Sequence, residues 1–191
     1  MKIFYLINCL NKNGLGHITR GLLLANSLKK QKIYVQFLLI NGTVSSKKIL
    51  KEHNIISINS NNQKTIAKEI NYTSNKKNIR HLIIDHYSLK DTFFKTLDSK
   101  IKKISICDGN IKPNNYDMIF DQSLKFKKSK KIFSAVKFLI LKKKPFTLRK
   151  KYSLNFINKL KISLFFGAYL SNFKLKNIIN SINIIRKPDD K

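Results

Sequence analysis

At 191 residues and 42% hydrophobic content, the chain is long enough for one ordinary domain and the opening of a second. No apolar run approaches the roughly 20 residues of a membrane-spanning helix. Two cysteines, Cys9 and Cys107, exclude a disulfide framework and match no metal-ligand spacing. The apolar N-terminal stretch has no small-residue cleavage site and reads as a strand, so reduced, partly buried thiols and a cytoplasmic location are expected. The formal charge of +29 would suit a nucleic acid or an anionic membrane surface. But Arg20, Arg80, Arg149 and Arg186 are the only arginines among the 39 basic residues. Nucleic-acid readers rely on arginine for bidentate contacts, and no zinc-finger, RNP or basic-zipper pattern is present. The lysine excess therefore reads as compositional, and no nucleic acid is expected as a partner.

In chain order, β-forming runs alternate with helical patterns. Lys2–Asn8 reads as a strand and residues 18–30 as a helix, with Ile18, Leu22, Ala25 and Leu28 on one face. Tyr34–Ile40 is a continuous apolar run, the mark of a strand buried on both sides. A short helix over 45–53, a strand over 55–60 and a weaker helix over 62–74 follow. His81–Asp85 reads as a strand, 89–97 as a helix, 103–107 as a strand and Met118–Asp121 as another. Such alternation predicts an α/β domain with a Rossmann-like, mostly parallel sheet and helices on both faces. The pattern changes after Asp121: no acidic residue occurs from 122 to 188. Residues 123–151, with Pro145, read as a last amphipathic stretch and a linker. Residues 161–166 then read as a strand, followed by Gly167 and a helix near 173–182. The expected division is a first domain over 1–150 and, over 151–191, a linker and the truncated start of a second.

Ligands of open parallel sheets sit outside the carboxyl ends of the strands, which singles out four turns. The first is Gly14-Leu15-Gly16-His17-Ile18-Thr19-Arg20. Its glycines allow backbone to approach a ligand closely, and a helix start suits an anionic group. Thr19 stands where a dinucleotide fingerprint needs a third glycine, and the next strand offers no ribose-binding acid, so no nicotinamide cofactor is expected. His17, at the positive end of the helix, should be favoured as neutral imidazole and suited to act as a base; on spacing alone it reads equally as a helix cap. The second turn is Ile84-Asp85-His86-Tyr87, where Asp85 either orients another side chain or caps the next helix, and Tyr87 offers a hydroxyl or a stacking face. The third is Cys107-Asp108-Gly109, followed by Ile111-Lys112-Pro113 and by Tyr116-Asp117 opening the next strand; Asp85 and Asp108 are expected near each other. The fourth, Phe165-Phe166-Gly167-Ala168, would face a nucleotide. No metal site is expected, since no compact His/Asp set has ligand spacing.

Taken in order, these residues resemble one family: the hydrolase that releases UDP from UDP-2,4-diacetamido-2,4,6-trideoxy-β-L-altropyranose in pseudaminic-acid biosynthesis. The family has the MurG-like, two-domain glycosyltransferase-B fold. Its Gly-x-Gly-His-x-x-Arg turn and leucine-rich helix match Gly14 to Arg20 and Leu22-Leu23-Leu24-Ala25. Its Ile-Asp-His-Tyr matches residues 84–87. Its Asp turn, Pro and strand-opening Asp match Asp108, Pro113 and Asp117, and an arginine before the second domain matches Arg149. The resemblance covers about residues 1–160. The chain departs from the pattern at Leu6 and Asn8, at Gly109, and at Gly167-Ala168-Tyr169. The resemblance implies water attack on the anomeric carbon with inversion and release of UDP. It makes His17 the base, Gly14, Gly16, Arg20, Asp85, Tyr87 and Asp108 substrate-binding, and Gly167 nucleotide-binding, with no cofactor. Since most of the family's UDP-binding domain is missing, the expected partners are a UDP-sugar and a separate chain supplying that domain, or a second copy in a homodimer. The alternatives are a non-catalytic remnant or binding module of the family, and a basic nucleic-acid-binding protein.

Overall fold

The computed structural model describes residues 1–9, 16–108, 111–135 and 140. The chain divides into two units, Met1–Lys150 and Lys151–Lys191, and the described residues all belong to the first. The expected strand and helix of a second α/β unit lie outside the described residues, as do Gly14, Leu15, Arg149 and Gly167.

Seven strands make one sheet: β1 (Lys2–Asn8), β2 (Tyr34–Ile40), β3 (Asn54–Ile58), β4 (His81–Asp85), β5 (Lys102–Cys107), β6 (Met118–Asp121) and β7 (Ile132–Phe133). Their order is β3-β2-β1-β4-β5-β6-β7, and every pairing is parallel. The expected mostly parallel, Rossmann-like sheet is thus parallel throughout. Chain growth runs outward from β1 to β3, then crosses back to β4 and outward the other way. With right-handed crossovers this puts the early and late helices on opposite faces.

Strand alternation builds two cores. Ile3, Tyr5 and Ile7 of β1, with Val35, Phe37 and Leu39 of β2, pack against Ile18 and Ala25 of helix α1 (Gly16–Lys29). Phe4, Leu6, Leu38 and Ile40 face the other way, onto Ile66, Ala67 and Ile70 of α3 (Gln63–Lys77) and Phe93 of α4 (Asp91–Thr96). A strand buried on both faces must be apolar at nearly every position, which is why β1 and β2 were so legible.

The boundaries shift where polar residues carry an element on or a cap ends it. Helix α2 (Val44–Ile49) is shorter than the expected 45–53. Thr43 caps its start by accepting from the Ser46 N–H, and residues beyond Leu50 turn toward β3. Helix α3 runs three residues past the expected end and stops at Asn78, whose φ of 50° is left-handed. Residues 75–77 are polar and add nothing to the apolar period. Helix α4 is only six residues, short of the expected 89–97. The stretch expected as an amphipathic segment and linker contains β7 instead, where Phe133 stacks on Phe120 at 5.2 Å; two residues are too few for a strand period to register. Asp121, buried at the end of β6, ties down the intervening loop by accepting from Ser123, from the Phe126 N–H and from the Ser134 hydroxyl. Burial alone would raise its pKa, but these bonds hold it at about 2. Among the described residues no helix is long and apolar enough to cross a membrane.

Candidate functional site

Three neighbouring strands bring the sequence-selected residues to one rim. Asp85 is the last residue of β4, and Asp108 follows β5 directly. Since β1 and β5 flank β4, the start of α1 lies beside both. His17 is the second residue of α1 and Arg20 lies three residues on, so both sit on one helix face. Period-two alternation points Tyr5 of β1 and Asp85 of β4 to the same side of the sheet, toward α1.

Asp85 is the hub, fully buried at 0% exposure. Its Oδ1 accepts from His17 Nδ1 and Arg20 Nη2, each at 2.6 Å. Its Oδ2 accepts from the Tyr5 hydroxyl at 2.8 Å and Arg20 Nε at 2.9 Å. An ionised carboxylate only accepts, so this contact requires the proton of neutral His17 to be on Nδ1. The second nitrogen, Nε2, is then left as the lone-pair site, and no described residue hydrogen-bonds to it. Arg20 reaches on to Asp108 through Nη1 at 3.0 Å and to the Tyr87 hydroxyl through Nη2 at 3.3 Å. Tyr87 in turn donates to Asp108 and sets its ring edge-on to His17, with centroids 4.7 Å apart.

The electrostatics follow from this wiring. Burial pushes Asp85 toward the neutral acid, but the hydrogen bonds and charges of His17 and Arg20 outweigh it and hold its pKa below the ordinary value. Arg20 is likewise pulled upward by Asp85, Tyr87 and Asp108 against the effect of burial, so it stays charged. Burial and the Asp85 carboxylate push the Tyr5 phenol well above its usual value. Tyr87 is raised to about 12, by burial and then by its bond to Asp108.

The structure therefore brings together His17, Arg20, Asp85, Tyr87 and Asp108. Gly16 opens α1 beside them; a Cβ built there meets nothing within 4 Å, so packing among the described residues does not require glycine at this position. Asp85 does not cap α4, whose N-cap is Lys90. His86 stands apart from the cluster: its Nδ1 accepts from the Ser88 N–H at 3.1 Å, and burial together with the nearby His17 lowers its pKa to about 4. Sequence reasoning missed Tyr5. The available signal was a phenol inside an otherwise aliphatic strand, since a buried tyrosine hydroxyl needs a partner. Among the described residues, no group of three His, Cys, Asp or Glu side chains is placed to hold a metal ion.

Fold and site define a doubly wound, all-parallel α/β domain with its polar cluster at the carboxyl rim beside the first helix. Among solved structures the chain is similar to MurG of Acinetobacter baumannii, with a TM-score of 0.54 and 10% sequence identity, over 70% of this chain and 44% of that one. The chain thus matches less than half of the MurG chain, and the likeness is one of fold: the N-terminal half of a glycosyltransferase-B, MurG-like architecture. No family model and no curated protein matches the sequence.

Proposed function

We propose that the chain is the base-bearing half of a sugar-nucleotide hydrolase, acting on a UDP-2,4-diacetamido-2,4,6-trideoxy sugar of pseudaminic-acid biosynthesis. The observation that carries this reading is the buried Asp85–His17 pair, which directs the proton of neutral His17 to Nδ1 and reserves Nε2 for an incoming proton. The motif order from Gly14 to Asp117 supplies the substrate class, and the MurG-like fold accords with a sugar nucleotide.

The steps follow from the residues. Water, held near Nε2, attacks the anomeric carbon and gives its proton to His17. The bond from that carbon to the diphosphate oxygen breaks, UDP leaves with the electron pair, and configuration inverts. The buried Asp85 carboxylate, in contact with Nδ1, then stabilises the imidazolium it has oriented. Arg20 fixes Asp85 and joins it to Asp108. Tyr87 and Asp108 offer a hydroxyl and a carboxylate to the sugar, and Gly16 leaves room for it. Holding UDP is assigned to a second domain, in this polypeptide or in another.

The test is UDP release from the diacetamido-sugar nucleotide by wild type and His17→Ala, each assayed alone and with a co-expressed UDP-binding domain. His17→Ala should lower the rate by about 10²–10⁴-fold, the usual contribution of a general base. Equal rates would remove His17 from that role. Sugar-nucleotide binding with no UDP release in any combination would point instead to a binding module.

A further inference from the structure

The two edges of the sheet are finished differently. An edge strand presents unpaired backbone N–H and C=O groups, and proteins guard it with charged side chains, with proline or by keeping the strand very short. At one edge, β7 is two residues long and directly follows Lys130 and Lys131. At the other, β3 runs for five residues and pairs on its inner side with β2. Among the described residues no strand lies on its outer side. Although 39 of the 191 residues are Lys or Arg, residues 53–63 hold none, and no Asp, Glu or Pro either.

One contact fixes the bonding register. The Ile58 carbonyl accepts from the Asn41 N–H at 3.0 Å, so Ile58 turns its backbone groups toward β2. Along a strand the N–H and C=O of one residue point to the same side, and that side alternates. Asn54 and Ile56 therefore also face β2, and Ile55 and Ser57 turn theirs outward. The Ile55 and Ile56 side chains pack against the two cores, so what the edge offers is backbone.

This edge is complementary to itself. Two antiparallel copies with a twofold axis at Ile56 set Ile55 of one against Ser57 of the other, twice, and each such pair exchanges two N–H···O=C bonds. Four bonds then close the seam with no lysine from either β3. A net charge of +29 opposes approach of two copies through lysine-bearing surfaces. Helix α2, which leads into β3, also leaves Val44 and Ile49 exposed, apolar area that a bare strand pair lacks.

We propose that β3 is a self-association surface, through which a second copy of this chain pairs antiparallel and continues the seven-stranded sheet. The seam is short, so association is reversible and concentration-dependent. The inference is independent of the hydrolase reading.

The test is sedimentation velocity on the full chain from about 1 to 200 µM, with each variant checked as folded by thermal melting. Wild type should pass from monomer to dimer, and more readily at high salt, which screens the like charges. Ser57→Pro removes an outward N–H that β2 does not use, and Ser57→Lys brings a positive charge from each copy into the seam. Each should lower the association constant by about tenfold or more. Asn114→Lys adds the same charge at an exposed position between β5 and β6 and should leave it unchanged. Ile56→Cys should give a disulfide-linked dimer on mild oxidation, because residues facing each other at the axis lie about 4.5 Å apart at Cα, whereas Cys9 and Cys107 are buried. A wild type that stays monomeric throughout, or a dimer that persists in both Ser57 variants, would overturn the proposal.

Discussion

Asp85 is served by donors from two places far apart in sequence, Tyr5 on β1 and His17 with Arg20 on α1, and it could not stay ionised in its buried position without them. Asp85→Asn would leave the Arg20 guanidinium without its buried partner, and breaking such a pair costs about 3–5 kcal/mol. Urea unfolding at neutral pH should show that loss. A folded pKa held below its unfolded value gives stability that is full above about pH 4 and lost as pH falls through the folded value. The variant should therefore show a shallower acid limb than wild type. His86 obeys the same linkage at a higher pH, because its folded pKa is also depressed and it too loses stability in acid. Its folded pKa is lowered from 6.5 to about 4, so below about pH 6.5 the unfolded chain takes up a proton that the folded chain does not. Stability should fall between those values, by up to about 3 kcal/mol at the lower end. His86→Asn keeps an acceptor for the Ser88 N–H and should flatten that slope in unfolding curves at pH 7 and 4.5. An unchanged slope would assign it to other groups.

At the scale of elements, α1 is held close to the sheet by Gly21. A Cβ there would lie 3.0 Å from the Phe37 ring and 3.2 Å from the Tyr5 ring, both fully buried. Alanine would gain up to about 1 kcal/mol of helix propensity, but rings packed on every side give way only at a cost of about 1–3 kcal/mol. Gly21→Ala should therefore be neutral to destabilising by about 2 kcal/mol, as read by thermal melting. It should also disturb the site, because the displaced ring belongs to the tyrosine that bonds Asp85. A variant more stable than wild type would show that α1 can move outward freely. The same packing explains which helix residues were readable. Ile18 and Ala25 lie on the predicted apolar face of α1 and are buried, whereas the last residues of α3 and the two-residue β7 carry too few apolar positions to set a period.

At the scale of the whole molecule, a net charge of +29 on 191 residues repels itself, and the basic residues are mostly lysine. Between about 0.01 M and 0.15 M ionic strength the screening length falls from about 30 Å to about 8 Å. The urea midpoint should rise over that interval, since relief of self-repulsion favours the compact state. A midpoint independent of salt would mean that the lysines are spaced too widely to interact. The polar cluster, where the Asp85 and Asp108 carboxylates meet Arg20, gathers acidic groups that are scarce in this positive molecule. It occurs where the crossover between the two wings of the sheet brings β4 beside β1.

The sequence by itself determined the α/β class, the strands β1, β2, β4 and β6 and the buried face of α1, because burial on both sheet faces demands unbroken apolar runs and a helix packed on one side demands a 3.6-residue period. It also placed Asp85, Tyr87 and Asp108 at strand ends; spacing alone left His17 between base and cap and Asp85 between orienting group and cap, and the family resemblance made His17 the base and Asp85 a substrate-binding residue. Only the tertiary structure settled their geometry: Asp85 against Nδ1 of His17, Arg20 across to Asp108, and Tyr5 beneath. These contacts join residues 65 to 88 positions apart. Local pattern carries no information over that distance, because strand order and the closeness of α1 to the sheet are set by the packing of the whole domain.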